Sequence, residues 1–276
     1  MRTLLIDNHD SFTYNLYQYL AACNAEPPFV VRNDEMSWDE VERMPFDNIV
    51  ISPGPGRPQR PADLGISADA LRRSRKPVLG VCLGHQAIAH HCGALVDLAV
   101  RPMHGRLDRI SHTQRDLFLG IPDRFEAVRY HSLAVTQLPA SLEPLAWTSD
   151  GTLMALRHVS RPWWGVQFHP ESICTEFGAR LLRNFRELTQ EWHAQASWRE
   201  AQDRLGPSLY GVYGAEAGSI PGYRDSAQRF SGIIWDEPTL DRFIANPDQV
   251  ISNNSMKPYT GIADAEVRQQ IIDYLK

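Results

Sequence analysis

Three short stretches carry residue types able to do covalent chemistry. In GVCLGHQAI, Cys82 stands between Gly80 and Gly84, with an apolar run before it and His85 and Gln86 after it. A buried strand turning sharply into a helix would read this way, and a nucleophile elbow has that shape, with cysteine here in the place of serine. The two glycines would permit the tight turn. The helix N-terminus would stabilise a thiolate and lend backbone N–H groups to an oxyanion. Taken alone, the pattern fits a packed core cysteine equally well. The second stretch, Ser52-Pro53-Gly54-Pro55-Gly56, could hold backbone N–H groups at fixed angles with few side chains in the way, although a rigid turn explains it too. The third is Gln167-Phe168-His169-Pro170-Glu171-Ser172. His169 is the expected general base for Cys82 and Glu171 the group that holds its imidazole, as in a nucleophile–base–orienter triad. A satisfied loop histidine is the alternative. His85, beside the cysteine in sequence, is not expected to be the base.

The elements that must position these residues alternate. TLLID, PFVVR, NIVIS and PVLGV read as short apolar strands. Between them lie helical patterns at Ser11 to Cys23 (N-capped by Asp10, with Phe12, Leu16 and Leu20 on one face), at Leu64 to Ser74 and at Gly84 to Cys92. Such alternation predicts an α/β fold: a flavodoxin-like, open, mostly parallel sheet with flanking helices. In an open parallel sheet, sites form beyond the carboxyl ends of the strands, and all three stretches follow a strand. After about Leu95 the segments GRLDRI, FEAVRY, EPLAWTSDGTLMALRH and WWGVQFH suggest short antiparallel strands forming a small second sheet. Ser149-Asp150-Gly151 reads as a hairpin turn. Thr175 to Trp192 reads as an amphipathic closing helix, with Phe177, Leu181, Leu182, Phe185 and Leu188 as its stripe. The expected division is a domain at 1–192, a polar linker at 193–204, and a short, mainly helical C-terminal segment at 205–276.

Composition excludes several classes. The 276 residues carry a net charge of −5, and the basic residues are scattered, the densest run being Arg72, Arg73, Arg75 and Lys76. No nucleic-acid footprint follows from this. No apolar stretch approaches the ~20 residues of a membrane span, and the N-terminus meets Asp7 too early for a signal peptide. The four cysteines show no close paired spacing, so a reduced, cytoplasmic protein is expected, with no metal site and no cofactor.

GVCLGHQAI, SPGPG, RYHSL and GVQFHPES together resemble the triad-type glutamine amidotransferases. DNHDSFTYN narrows the resemblance to the glutaminase component of chorismate-aminating synthases, and it covers Met1 to about Leu188. The resemblance implies that Cys82 attacks the glutamine carboxamide, His169 moves the proton and Glu171 orients His169. It implies further that Leu83 and the Gly54–Pro55–Gly56 loop hold the oxyanion, and that Gln86, Ser132 and Leu133 bind substrate. Ammonia would pass to a chorismate-binding synthase acting in trans. The aminodeoxychorismate type is favoured by RPMHGR and the residues around GVQFHPES. The anthranilate type is the alternative, and a thiol hydrolase of γ-glutamyl peptides a second. His9 stands where that family usually has tyrosine.

The stretches GPSLYGVYGAEAGSIPGY, SGIIWDEPTLDRFIANP and NNSMKPYTGI resemble part of a small class I cytochrome c, with Met256 in the distal-ligand place. No C-x-x-C-H precedes them, so a segment without haem is expected, the alternative being an electron-transfer protein on an inactive fold. Helices are expected at Asp236–Ile244 and Asp264–Tyr274, with Trp235, Phe243, Ile271 and Ile272 packing on the main domain or a partner.

Overall fold

The computed structural model describes residues 1–205, 213–216, 232–250 and 261–275. Met256 and most of the Gly- and Tyr-rich stretch after Leu205 lie outside the described residues. The chain forms two compact units, Met1–His193 and Ala194–Lys276.

The first unit is built on a nine-stranded sheet of order β2-β1-β3-β4-β9-β8-β7-β5-β6. Its strands are β1 (Thr3–Asp7), β2 (Phe29–Arg32), β3 (Asn48–Ile51), β4 (Val78–Val81), β5 (Leu95–His112), β6 (Phe125–Gln137), β7 (Leu142–Trp147), β8 (Leu153–His158) and β9 (Trp163–Val166). β2, β1, β3, β4 and β9 run parallel, and the remaining pairs are antiparallel. The strand residues alternate between two apolar cores, as a period of two requires. Leu4, Ile6, Ile49, Ile51 and Val78 face one side, with α2 (Trp38–Val41), α4 (Ile66–Arg73) and α5 (Leu83–His91). Leu5, Val50, Leu79 and Val81 face the other, with α1 (Thr13–Asn24) and α6 (Gly178–Leu205). Each fully buried Leu, Ile or Val stabilises the fold by about 1.5–3 kcal/mol.

Several expectations change in detail. β9 was expected among the antiparallel strands, but it pairs parallel with β4, Val81 opposite Val166. β5 and β6 are long, at 18 and 13 residues, not short. The helix expected over Leu64–Ser74 is split, α3 (Pro61–Leu64) ending at Gly65, whose φ of 47° breaks the turn before α4. Asp10 caps no helix. Its carboxylate accepts from the Phe12 N–H at 2.8 Å, α1 begins only at Thr13, and Phe12 is exposed while Leu16 and Leu20 are buried. The closing helix starts after Phe177, whose φ of 57° places it outside the helix and whose side chain is exposed. The residues read as a polar linker continue α6 to Leu205.

In the second unit, α7 (Glu237–Ala245) starts at Asp236, whose carboxylate accepts from the Thr239 N–H at 2.9 Å. α8 (Pro247–Val250) follows at once, and α9 (Ala265–Leu275) completes the described part. Trp235, Leu240, Ile272 and Leu275 form its small core, with Phe243 and Ile271 against it, so these side chains pack on one another.

Candidate active site

The parallel pairing of β4 with β9 decides the geometry. Two strands running the same way in register end side by side, so whatever follows Val81 lies next to whatever follows Val166. The Cys82 N–H donates to the Val166 carbonyl at 2.8 Å, which extends the ladder one residue into the turn. Cys82 itself carries the strain, with φ 51° and ψ −99°, a conformation L-residues rarely adopt. Gly80 and Gly84 serve another purpose than the expected turn, since neither has positive φ. A Cβ on Gly80 would fall 2.3 Å from the Gly84 backbone, and one on Gly84 would fall 2.4 Å from the Ile51 carbonyl oxygen. Glycine at both places lets α5 settle onto β3 and β4, and the elbow at Cys82 follows from that close approach.

The turn after β9 delivers the other groups. The His169 N–H donates to the Val128 carbonyl at 3.1 Å, and its own carbonyl accepts from Thr175 Oγ1 at 2.7 Å. The ring is 4% exposed, and its Nδ1 lies 2.6 Å from Glu171 Oε1. Its Nε2 is buried, with Cys82 beside it. The ring of Tyr130 packs edge-on against the imidazole, centroids 5.2 Å apart. Burial alone would push the imidazole down, but the interactions with Cys82 and then Glu171 overcome it and raise the pKa to about 10. The imidazolium is thus the favoured form beside the sulfur. His85 is its opposite. It is 0% exposed and lies against the Gly165 backbone, and burial lowers it to about 3, so it stays neutral.

The other anticipated residues fall into two groups. Gly54 lies against Asn8 and Leu83 at the same sheet edge, and the loop is anchored one residue past Gly56, where the Arg57 N–H donates to Asp63 Oδ2 at 2.9 Å. Pro55 lies in this loop between them. Leu83 opens α5, and the first N–H groups of a helix have no intrahelical acceptor. Gln86, one turn on, is 3% exposed, and its Nε2 donates to the Leu133 carbonyl at 3.2 Å and to Gln167 Oε1 at 3.0 Å. Ser132 sits higher on the β5–β6 ribbon, its Oγ 3.4 Å from His104 Nε2. Three site residues escaped the sequence reading. Gln167 Nε2 points at Cys82 Sγ from 3.6 Å, and its spacing of two from His169 on an extended segment could have flagged it. Tyr130 offers its carbonyl 4.0 Å from the same sulfur. Asp10, near His169 and Glu171, has its carboxyl raised by burial. His9, with φ 59°, is exposed, and its Nε2 lies 3.0 Å from Asp34 Oδ1, away from these groups.

The arrangement can generate a thiolate nucleophile, hold an imidazolium beside it as a proton donor, and meet an oxyanion with backbone N–H groups. The family model described as glutamine amidotransferase class-I matches residues 4–188. The chain belongs to this family. Among curated glutamine amidotransferase relatives, the aminodeoxychorismate synthase of Streptomyces griseus is 57% identical over 190 residues, 69% of this chain and 26% of that protein. The chain therefore spans about a quarter of that relative, and the same 26% holds for the aminodeoxychorismate synthase of Streptomyces pristinaespiralis. Anthranilate synthase component 2 of Thermus thermophilus is 47% identical over 192 residues, 68% of this chain and 92% of that protein. Among solved structures, a GMP synthase component from Thermoplasma acidophilum superposes with a TM-score of 0.63 at 27% identity, covering 73% of this chain and 97% of that one. The glutamine amidotransferase match ends before the second unit begins.

Proposed function

We propose that this chain is the glutaminase component of a chorismate-aminating synthase, and that the aminodeoxychorismate reaction is its pathway. The observation that carries the chemistry is the convergence of Cys82, His169 and Glu171 at adjoining strand ends. Cys82 Sγ attacks the carboxamide carbon of glutamine, and the charge that develops on oxygen meets the N–H groups of Leu83 and the Gly54–Gly56 loop. His169 donates its proton to the departing nitrogen, which leaves as ammonia, and a glutamyl thioester remains on Cys82. Water, deprotonated by His169, attacks the thioester and releases glutamate and the thiolate. Glu171 holds the Nδ1–H of His169 throughout. Gln86, Ser132 and Leu133 line the side from which glutamine enters. Ammonia passes unprotonated to a chorismate-binding synthase acting in trans.

The pathway reading rests on the 57% identity to the Streptomyces griseus aminodeoxychorismate synthase. The 92% coverage of the Thermus thermophilus anthranilate synthase component 2 favours the second reading. Mixing the chain with a chorismate-binding synthase, chorismate and glutamine separates them: aminodeoxychorismate is the expected product, and anthranilate would overturn the choice. Cys82→Ser should abolish the glutamine-dependent reaction and leave the ammonia-dependent one. Substantial hydrolysis of γ-glutamyl peptides by the chain alone would redirect the assignment to a hydrolase. A cytoplasmic setting fits free Cys23, Cys82, Cys92 and Cys174, and no described helix is long and apolar enough to cross a membrane. The C-terminal unit, from about residue 205, is proposed as a helical appendage without haem.

A further inference from the structure

A line of oriented hydrogen bonds runs from the β5–β6 ribbon to the sulfur of Cys82. Asp108 Oδ2 accepts from Arg129 at 2.5 Å, and Arg129, 1% exposed, donates its Nε–H to His131 Nε2 at 3.0 Å. An imidazole whose Nε2 accepts must carry its proton on Nδ1, and Nδ1 lies 2.8 Å from the Leu133 carbonyl. Burial, with Arg129 beside it, lowers His131 to about 4, in keeping with the neutral ring this tautomer requires. The Leu133 carbonyl also accepts from Gln86 Nε2.

Donors and acceptors fix the remaining orientations. A backbone carbonyl can only accept, so Gln86 must turn its NH₂ toward Leu133. The second hydrogen of that NH₂ then requires an acceptor, and Gln167 supplies Oε1 at 3.0 Å. With its oxygen committed, Gln167 has only its NH₂ to turn toward Cys82 Sγ, 3.6 Å away, a range suited to the larger sulfur atom. Gln167 is 0% exposed, and its backbone N–H is bound to the Met154 carbonyl at 2.8 Å, so the side chain has little freedom to choose otherwise.

We propose that Gln167 is a further catalytic residue, an uncharged donor that holds the Cys82 sulfur in its anionic form, and that Gln86 is a positioning residue that fixes which end of the Gln167 amide faces the sulfur. The inference rests on the glutaminase reading, in which Cys82 is the nucleophile. An N–H donor stabilises a thiolate more than a thiol, and it does so without spending the imidazolium, which remains free to protonate the leaving group. Gln86 thereby acts through Gln167 whether or not it also touches substrate.

The test is the pH profile of alkylation of Cys82 by iodoacetamide, followed by peptide mapping to separate it from Cys23, Cys92 and Cys174. Iodoacetamide needs no substrate pocket, so the profile reports the sulfur rather than glutamine binding. Gln167→Met, near in size and lacking the donor, should slow alkylation at neutral pH about tenfold and return to the wild-type rate at high pH. Gln167→Glu should slow it further, since a carboxylate oxygen then stands where the N–H donor faced the sulfur. Gln86→Met, which frees the Gln167 amide to turn over, should slow it by about threefold with the same recovery. A Gln167→Met profile that coincides with wild type in a folded protein overturns this inference alone. Failure of an electrophilic glutamine analogue to label wild-type Cys82 overturns the glutaminase reading and this inference with it.

Discussion

The first turn of α5 and the turn after β9 each bury a histidine, and the two rings behave in opposite ways. His85 is 0% exposed and His169 is 4% exposed, so desolvation acts strongly on both. His85 has no carboxylate beside it, only the Gly165 backbone and the repulsion of His131, and burial lowers it to about 3. His169 has a carboxylate at 2.6 Å on one nitrogen and Cys82 on the other, and it rises to about 10. Burial does not by itself make a buried histidine inert or active. The charge placed next to each nitrogen does. Sequence proximity puts His85 next to the cysteine, whereas strand pairing brings His169 to its sulfur.

The largest break in this comparison comes from exchanging the two. His169→Asn should slow labelling of Cys82 by an electrophilic glutamine analogue by about a thousandfold, whereas His85→Leu should change it less than about threefold. Equal losses would mean that both rings serve the chemistry. Glu171→Gln keeps a hydrogen-bonding partner but removes the charge, and should slow labelling by about a hundredfold with an unchanged thermal midpoint. Gly84→Ala sharpens the contrast from the other direction. Its Cβ would meet the Ile51 carbonyl, so equilibrium denaturation should show a loss of about 1–3 kcal/mol, with labelling falling because α5 is displaced. The smallest effect, just below neutral pH, is on stability against pH. For His85 and His131 the folded pKa lies below the ordinary 6.5, so the unfolded chain binds protons that the folded one does not. Their neutral forms contribute stability fully above pH 6.5, and it is lost as pH falls through about 4 for His131 and about 3 for His85. Thermal midpoints should decline over that range, and His85→Leu should flatten the decline.

Much of this was legible in the chain. The short strands β1 to β4 are apolar at nearly every position, and their alternation with helices announced a parallel sheet. Cys82, His169 and Glu171 each follow an apolar strand, and that placement brought them into one hypothesis. What was not legible has physical causes. β9 looks like the antiparallel strands around it, because a short run of buried residues carries no mark of direction. The helix expected from Leu64 begins only at Ile66, because a single Gly65 interrupts an otherwise helical pattern. Asp10 precedes a helix as a cap would, but its carboxylate serves the Phe12 N–H and lies near His169 and Glu171 instead.

By itself the sequence determined the local chemistry: a cysteine framed by glycines, a histidine and glutamate two residues apart, and apolar runs of the length and period that strands and helices need. Those properties belong to short stretches and need no partner. The tertiary structure alone decided which strand lies beside β4, and hence which histidine meets Cys82, which amide faces its sulfur and which ring is left neutral. It also showed that Gly80 and Gly84 are demanded by the approach of α5 to β3 and β4 while Cys82 bears the positive φ. Contacts between residues distant in the chain are set by packing and strand order, and the charge state of a buried group depends on those contacts.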